Sequence, residues 1–155
     1  MYKPRGNVYY FELGFTFMDK KRRDRYGQKC KFILEKLNEV FLNPKDDTHL
    51  YASLYCMQVS IEAATDLAAM LVKDLGLDVG DDYHNVDLLQ RKGIIPSKIA
   101  EELRGANGLR NAIVHRYNSF EQELAFKRIP SIKKAIESFI ELVDVEVNEL
   151  TKSKS

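Results

Sequence analysis

The feature that most constrains this chain is a periodic apolar run between residues 54 and 75. Its members recur every three or four positions: Leu54, Met57, Ile61, Ala64, Ala68, Leu71 and Leu75. This spacing places them on one face of an α-helix of about six turns, and Gly76 marks its end. A stripe of this length is buried only by packing against other helices. The run therefore predicts a long helix of a bundle, with these residues in the core.

Two further helices are predicted, one on each side of this run. The first ends at Asn43-Pro44, because the residue before a proline disfavours helical geometry. The last is opened by Pro130, since proline is favoured in a first helical turn. Their apolar positions follow helical spacing: Ile33, Leu37, Val40 and Phe41 in the first helix, and Ile132, Ile136, Phe139, Val143 and Val147 in the last.

A short helix is predicted soon after the long one. Acidic residues flank His84 between Gly80 and Asp87, an arrangement that would suit a metal ion. We favour the simpler interpretation that these acids cap a helix, which runs through Gln90 and ends before Gly93.

The segment from residue 97 onwards is predicted to form two helices. The first covers Ser97 to Ala106, where Gly105 and Gly108 predict a break. The second begins near Leu109 and runs past Tyr117. The predicted fold class is therefore all-α: an up-down bundle of four to five helices in a single domain.

The first seventeen residues do not share the helical pattern. Residues 8–17 are rich in Tyr and Phe, lack helical period and are interrupted by Gly14. Met18 then opens a helical sequence and would itself suit a translation start. We therefore divide the chain into an N-terminal extension, residues 1–17, and a helical domain, residues 18–155. Two interpretations of the extension stay open: an upstream start codon, or a short β-ribbon added to the helices.

Composition argues against several classes of protein. The net charge of +1 lacks the basic excess typical of proteins that bind long stretches of nucleic acid, and the cluster at residues 20–23 is interpreted as a solvated helix start. No apolar run is long enough to span a membrane, so no membrane partner is expected. Cys30 and Cys56 lie among apolar neighbours, which predicts core thiols in a reducing cytoplasm.

Most familiar chemical motifs are missing from the sequence. It contains no Gly-rich phosphate loop, no zinc-type Cys/His pattern and no Gly-x-Ser-x-Gly elbow. Glu62 and Asp66 share one helix face, but acids on a single helix more often have a solvated or structural role. We therefore expect neither a metal ion nor a cofactor.

The residues best suited to chemistry lie between Arg110 and Tyr117. Histidine exchanges a proton near neutral pH, and the planar arginine cation fits phosphate oxygens. Together they suit metal-free cleavage of RNA. His115 would deprotonate a 2′-hydroxyl or protonate a leaving oxygen, while Arg110 would stabilise the charge at phosphorus.

The spacing of this motif favours a dimer. On a straight helix Arg110 and His115 point about 140° apart and lie about 7.5 Å apart along the axis. One helix therefore does not aim both groups at a single point, whereas Asn111 and His115 are four residues apart and can orient each other. A two-fold dimer would bring both copies of the motif to one shared cleft, so we expect a homodimer.

Residues 109–117 read LRNAIVHRY and closely resemble the RN-x-x-VH-x-Y signature of the HepT toxins, a branch of the HEPN superfamily. The resemblance extends over residues 18–150, with an Ile61-Glu62-Ala63 run and the expected helix order. It implies a HEPN-like fold and a metal-independent endoribonuclease toxin, with Arg110 and His115 as the catalytic pair. Asn111 would help to position them.

The resemblance also implies a partner and a regulatory modification. Such toxins are encoded beside a minimal nucleotidyltransferase antitoxin, which uses ATP to attach AMP to the motif tyrosine, here Tyr117. A bulky anion two residues after His115 would block an anionic substrate. Two departures from the family pattern are the aromatic N-terminal extension and the stretch Ser119-Phe120-Glu121 after the motif.

Two other functions remain open from the sequence. The chain could be a non-catalytic HEPN-like subunit that binds nucleotide or substrate for a partner nucleotidyltransferase, which the near-neutral charge mildly favours. It could also be a general helical interaction module in which the motif is accidental. The intact Arg110 and His115 pair favours the ribonuclease, because a scaffold needs neither side chain.

Overall fold

The computed structural model describes residues 7–10, 15–115 and 119–152. Two strands precede five helices, in this order: β1 Asn7–Tyr10, β2 Phe15–Met18, α1 Lys20–Asn38, α2 Asp47–Asp74, α3 Asp82–Arg91, α4 Ser97–Val114 and α5 Ser119–Lys152. The predicted helical bundle is confirmed. No helix among these residues is long and apolar enough to cross a lipid bilayer.

The central helix of the bundle is α2, which packs against each of the other four helices. Its predicted apolar stripe is confirmed, because six of the seven positions are buried and Leu75 packs against them from the edge. Asp46 caps the start of the helix by accepting the backbone N–H of His49 at 2.8 Å. Gly76 follows the helix with φ 76°, a conformation that favours glycine.

The strands form an antiparallel ribbon, in which Asn7 pairs with Met18 and Tyr10 pairs with Phe15. This geometry corresponds to the second interpretation of the N-terminal extension. β2 lies against α5, and the Met18 side chain is buried in the common core. The ribbon therefore runs one residue across the boundary that the sequence suggested.

The first helix ends earlier than predicted. α1 stops at Asn38, and Phe41, expected in the core, is 45% exposed. The backbone N–H of Phe41 donates instead to Ser53 Oγ of α2 at 2.8 Å, and its ring contacts His49. A side-chain acceptor on another helix thus replaces the helical hydrogen bond that the periodic pattern implied.

Pro130 lies inside α5 and does not open it, so that prediction was wrong. The helix continues through the proline because Ala125, Ile129 and Ile132 are buried on one stripe. Burial of that stripe offsets the one hydrogen bond that Pro130 is unable to donate.

The glycines in α4 also do not break the helix, which is continuous from Ser97 to Val114. Gly105 and Gly108 both lie within it, while Leu103, Ala106 and Leu109 face the core. Tertiary packing of these apolar residues therefore outweighs the weak helical preference of glycine.

Both cysteines are free thiols in or beside the core. Cys56 is buried and donates to Glu39 Oε2 at 3.5 Å. Burial and, to a smaller extent, the nearby Asp144 carboxylate together raise the pKa of the half-buried Cys30 to about 11. At neutral pH Cys30 is therefore a protonated packing residue and a poor nucleophile.

A buried carboxylate joins the ends of α1 and α2. Asp74 is 1% exposed, and its Oδ2 accepts from the Tyr26 hydroxyl at 2.6 Å and from Arg22 Nε at 2.9 Å. An acid in the last turn of a helix is electrostatically unfavourable, and the Arg22 cation compensates for it. Arg22 thus has a structural role inside the basic cluster, which the sequence had suggested was solvated.

We expect Asp74→Ala to lower the free energy of unfolding by about 3 kcal/mol, because it removes the buried carboxylate that accepts from the Tyr26 hydroxyl and from Arg22. Urea unfolding followed by circular dichroism measures this change. Asp66→Ala is the matched control on the same helix. Asp66 forms a solvent-exposed pair with Lys29, so its loss should cost less than about 1 kcal/mol. Equal losses would contradict the structural role of Asp74.

Candidate active site

The predicted catalytic residues lie in the last two turns of α4 and just after it. Arg110 and Asn111 are helical, whereas His115 is the C-cap residue. Its backbone N–H donates to the Asn111 carbonyl oxygen at 3.0 Å. α4 therefore ends at Val114, within the motif, and the prediction that this helix runs past Tyr117 was wrong. Tyr117, the expected modification site, lies outside the described residues.

His115 and Asn111 line an open groove between α4 and α5. The described residues around this groove are Gly108, Leu109, Asn111, Ala112, His115, Leu124, Ala125 and Arg128. His115 is exposed, so its imidazole is accessible to a substrate in solution. The predicted proximity of Asn111 and His115 is therefore consistent with the structure, since both side chains reach the same groove.

Arg110 faces the other side of α4, toward α2. Its Nε lies 3.1 Å from Glu62 Oε1, and both side chains of this pair are 42% exposed. Its Nη1 donates to Asn111 Oδ1 at 3.4 Å. Arg110 does not line the groove of His115. Asn111 thus touches Arg110 and also borders the groove, while the two proposed catalytic side chains face different elements.

The sequence did not predict the ion-pair partner of Glu62. Its spacing with Asp66 suggested only a shared helix face, but the two acids have different partners. Glu62 pairs with Arg110, whereas Asp66 pairs with Lys29 of α1. Pairing across helices depends on the packing of α2 against α4, which charge spacing within one helix does not report.

Arg128 is a second residue that the sequence analysis missed. It belongs to α5, and its Nη2 donates to the Gly105 carbonyl oxygen of α4 at 3.2 Å. Its side chain lines the same groove as His115. The available signal was the pair of glycines at positions 105 and 108, which we had interpreted as a helix break.

The acidic segment around His84 has a structural role. Asp81 accepts the His84 backbone N–H at 2.8 Å and caps α3, as the simpler interpretation predicted. Asp87 instead pairs with Arg104 of α4 at 2.7 Å. In the part of the chain that the structure describes, no group of three or more His, Cys, Asp or Glu side chains is placed to hold a metal ion.

The chemical capacity of this region follows from its groups. An accessible imidazole can transfer a proton, and a half-exposed guanidinium can bind a phosphate oxygen. A single copy directs them toward different sides of α4. The arrangement therefore supplies both functional groups of an acid–base phosphodiesterase without aiming both at one point.

Comparisons with known proteins agree on one family. Residues 24–143 match the family model described as "Ribonuclease HepT-like". A protein of Archaeoglobus fulgidus named "Putative RNase" is 43% identical over 123 residues, which cover 79% of this chain and 93% of that protein. A second protein of the same organism and name is 36% identical over 127 residues, covering 81% and 91%.

The fold is similar to that of a solved toxin. The tri-AMPylated HEPN toxin of Shewanella oneidensis, solved in complex with its MNT antitoxin, superposes with a TM-score of 0.67. The match covers 83% of this chain and 99% of the toxin at 19% sequence identity. At this identity the similarity supports the shared fold.

Proposed function

This chain belongs to the HepT-like ribonuclease family, and from this premise we propose that it is the toxin of a toxin–antitoxin pair that cleaves RNA without a metal ion. The observation that carries the proposal is the end of α4, which presents an accessible His115 in an open groove on one side and the half-exposed cation of Arg110 on the other. RNA supplies its own nucleophile, so a proton-transfer group and a phosphate-binding cation suffice for cleavage.

In the proposed reaction, His115 removes the proton of a ribose 2′-hydroxyl. The 2′-oxygen then attacks the adjacent phosphorus, and the bond from phosphorus to the 5′-oxygen of the next nucleotide breaks. A second proton transfer, from an imidazolium, protonates that leaving oxygen. Arg110 stabilises the negative charge on the phosphate oxygens during the attack. The products are a 2′,3′-cyclic phosphate and a free 5′-hydroxyl, and no redox partner is needed.

The Arg110–Glu62 pair is compatible with this role because it is weak. Both side chains are 42% exposed, and exposed ion pairs contribute at most about 1 kcal/mol. A substrate phosphate that offers two charged oxygens can therefore replace the Glu62 carboxylate as the partner of Arg110. Until then, Glu62 and Asn111 hold the guanidinium at the end of α4.

We further propose that the active species is a homodimer. In one copy Arg110 faces α2 and His115 faces α5. Within that copy, the α2 side of α4 therefore lacks the imidazole, and the α5 side lacks the Arg110 guanidinium. A two-fold axis beside this helix would place the Arg110 of one copy near the His115 of the other. In each such cleft, the imidazolium formed by the first proton transfer would supply the proton for the second.

The proposed partner is a minimal nucleotidyltransferase antitoxin that neutralises the toxin at Tyr117. The tyrosine oxygen would attack the α-phosphorus of ATP, pyrophosphate would leave, and the phenolic proton would pass to solvent. The similar Shewanella toxin, described as tri-AMPylated and in complex with its antitoxin, supports this assignment. Each added AMP brings negative charge close to His115, where it repels RNA phosphates.

Cleavage of RNA in EDTA tests the central proposal. We expect wild-type protein to cleave, and His115→Ala and Arg110→Ala each to reduce the rate by at least about 100-fold, the usual contribution of such groups. His84→Ala and Arg91→Ala are matched controls, because both side chains are exposed and neither lines the groove. Equal activity in all five proteins would indicate a contaminant. A folded, unmodified and inactive wild type would favour the non-catalytic nucleotide- or substrate-binding subunit.

Mixing inactive variants tests the shared cleft. If each cleft takes Arg110 from one copy and His115 from the other, combining Arg110→Ala with His115→Ala protein restores activity. Free exchange of copies would give up to about a quarter of the wild-type rate. The control mixes either variant with the doubly substituted protein and restores none. Verified exchange without any recovery would place the complete cleft within one copy.

Co-expression with the nucleotidyltransferase partner tests the modification. We expect mass spectrometry to find AMP on Tyr117 and the purified toxin to be inactive, because the adduct repels phosphate. Tyr117→Phe should escape modification and stay toxic in the presence of the partner. Tyr83→Phe is the matched control, since Tyr83 is an exposed tyrosine on α3. Neutralisation of the Tyr117→Phe toxin would show that the partner acts by another route.

A further inference from the structure

Two glycines lie in the interior of α4, where they weaken the helix. Gly105 and Gly108 stand three residues apart and so share one helix face. Glycine has a lower helical preference than almost every other residue because it is conformationally free when unfolded. Neither has the positive φ that would require glycine. Their presence therefore points to a need for space on this face of the helix.

The space is occupied by the guanidinium of Arg128. A Cβ atom at Gly105 would lie 2.5 Å from Arg128 Nη2, which is closer than real contacts allow. A Cβ atom at Gly108 would lie 3.5 Å from Nη1. The guanidinium thus lies over the two glycines of α4, and Nη2 donates to the Gly105 carbonyl oxygen at 3.2 Å.

This cradle points the cation into the groove of His115. Arg128 lines the groove together with Asn111 and His115, and no carboxylate is present among the described residues around it. Arg110 differs, because Glu62 partly neutralises its charge. Arg128 therefore gives the histidine side of α4 a positive charge that Arg110 does not provide there.

We propose that Arg128 binds a backbone phosphate of the RNA beside His115. This inference rests on the proposed ribonuclease function and adds a substrate-binding residue to it. The guanidinium has five N–H groups, of which one is held by Gly105, so its outward edge can donate to phosphate oxygens while the cradle keeps it in place. Gly105 and Gly108 are then positioning residues, which act only through Arg128.

Binding of a labelled single-stranded RNA oligonucleotide tests this role without cleavage. The measurement uses fluorescence anisotropy over a range of KCl concentrations, with all variants made in the His115→Ala protein. We expect Arg128→Gln to weaken binding by roughly five- to tenfold and to reduce the slope of log K against log[salt] by about 0.7, the value for one contact with a single strand. A merely structural arginine would not change this slope.

Lys127→Gln is the matched control, because it removes the same charge from the adjacent residue. Lys127 lines a different groove, beside Leu42 and Phe126, so both affinity and salt slope should stay unchanged. If Arg128→Gln and Lys127→Gln behave alike, the inference is wrong. It is also wrong if the His115→Ala protein binds no RNA.

Gly105→Ala separates phosphate binding from packing. Alanine strengthens the helix, while its Cβ displaces the end of the flexible Arg128 side chain. We expect the Tm to stay constant or to rise and RNA binding to weaken several-fold. A lower Tm with unchanged binding would instead assign Arg128 to packing of α4 against α5.

The outcomes distinguish this inference from the proposed ribonuclease. If the wild type cleaves RNA, and Arg128→Gln cleaves it at the same rate as Lys127→Gln, the role of Arg128 is overturned while the ribonuclease stands. RNA binding that depends on Arg128, in a wild-type protein that does not cleave, overturns the ribonuclease and supports the phosphate-binding groove.

Discussion

Burial of one apolar stripe on α2 determines where every other helix lies. Each large aliphatic side chain in this stripe, such as Leu54, Ile61 or Leu71, contributes about 2 kcal/mol when it is fully buried. Because α2 contacts all four other helices, none of them can shift without exposing part of this surface. The site inherits this rigidity, since α4 is held between α2 and α5 up to the turn where the motif of Arg110 and His115 begins.

The site itself lies where that packing stops. Ile113 is still buried, whereas Val114 and His115 are exposed at the end of α4. Side chains of the same short motif therefore meet different surroundings: Arg110 is held by a carboxylate of α2, and His115 opens to a groove on α5. The core thus sets the direction of each group but leaves both accessible, and their divergence is the physical reason to expect a second copy.

The sequence predicted most of the fold, because buried positions repeat with the period of the helix. The stripe of α2 and the apolar face of α5 from Ile132 to Val147 were read correctly. The errors at Gly105, Gly108 and Pro130 share one cause. The low helical preference of glycine and proline was taken to mark a helix boundary, but burial of neighbouring apolar residues against other helices outweighs that preference. The partners of Arg110 and Arg128 depend on contacts between distant segments, and no spacing within one segment encodes them.

A net charge of +1 gives no independent support for an RNA-binding protein, but the local distribution of charge matters more than the sum. Gly105 and Gly108 weaken α4 by up to about 1 kcal/mol each relative to alanine. They make room for the Arg128 guanidinium, which lines the groove, and no carboxylate is present among the described residues around that groove. One or two such cations can bind a short stretch of RNA, whereas long duplexes require many. The same cations would attract the negatively charged AMP of a modified residue close to His115. The AMP group and the RNA would then compete for the same positive charges.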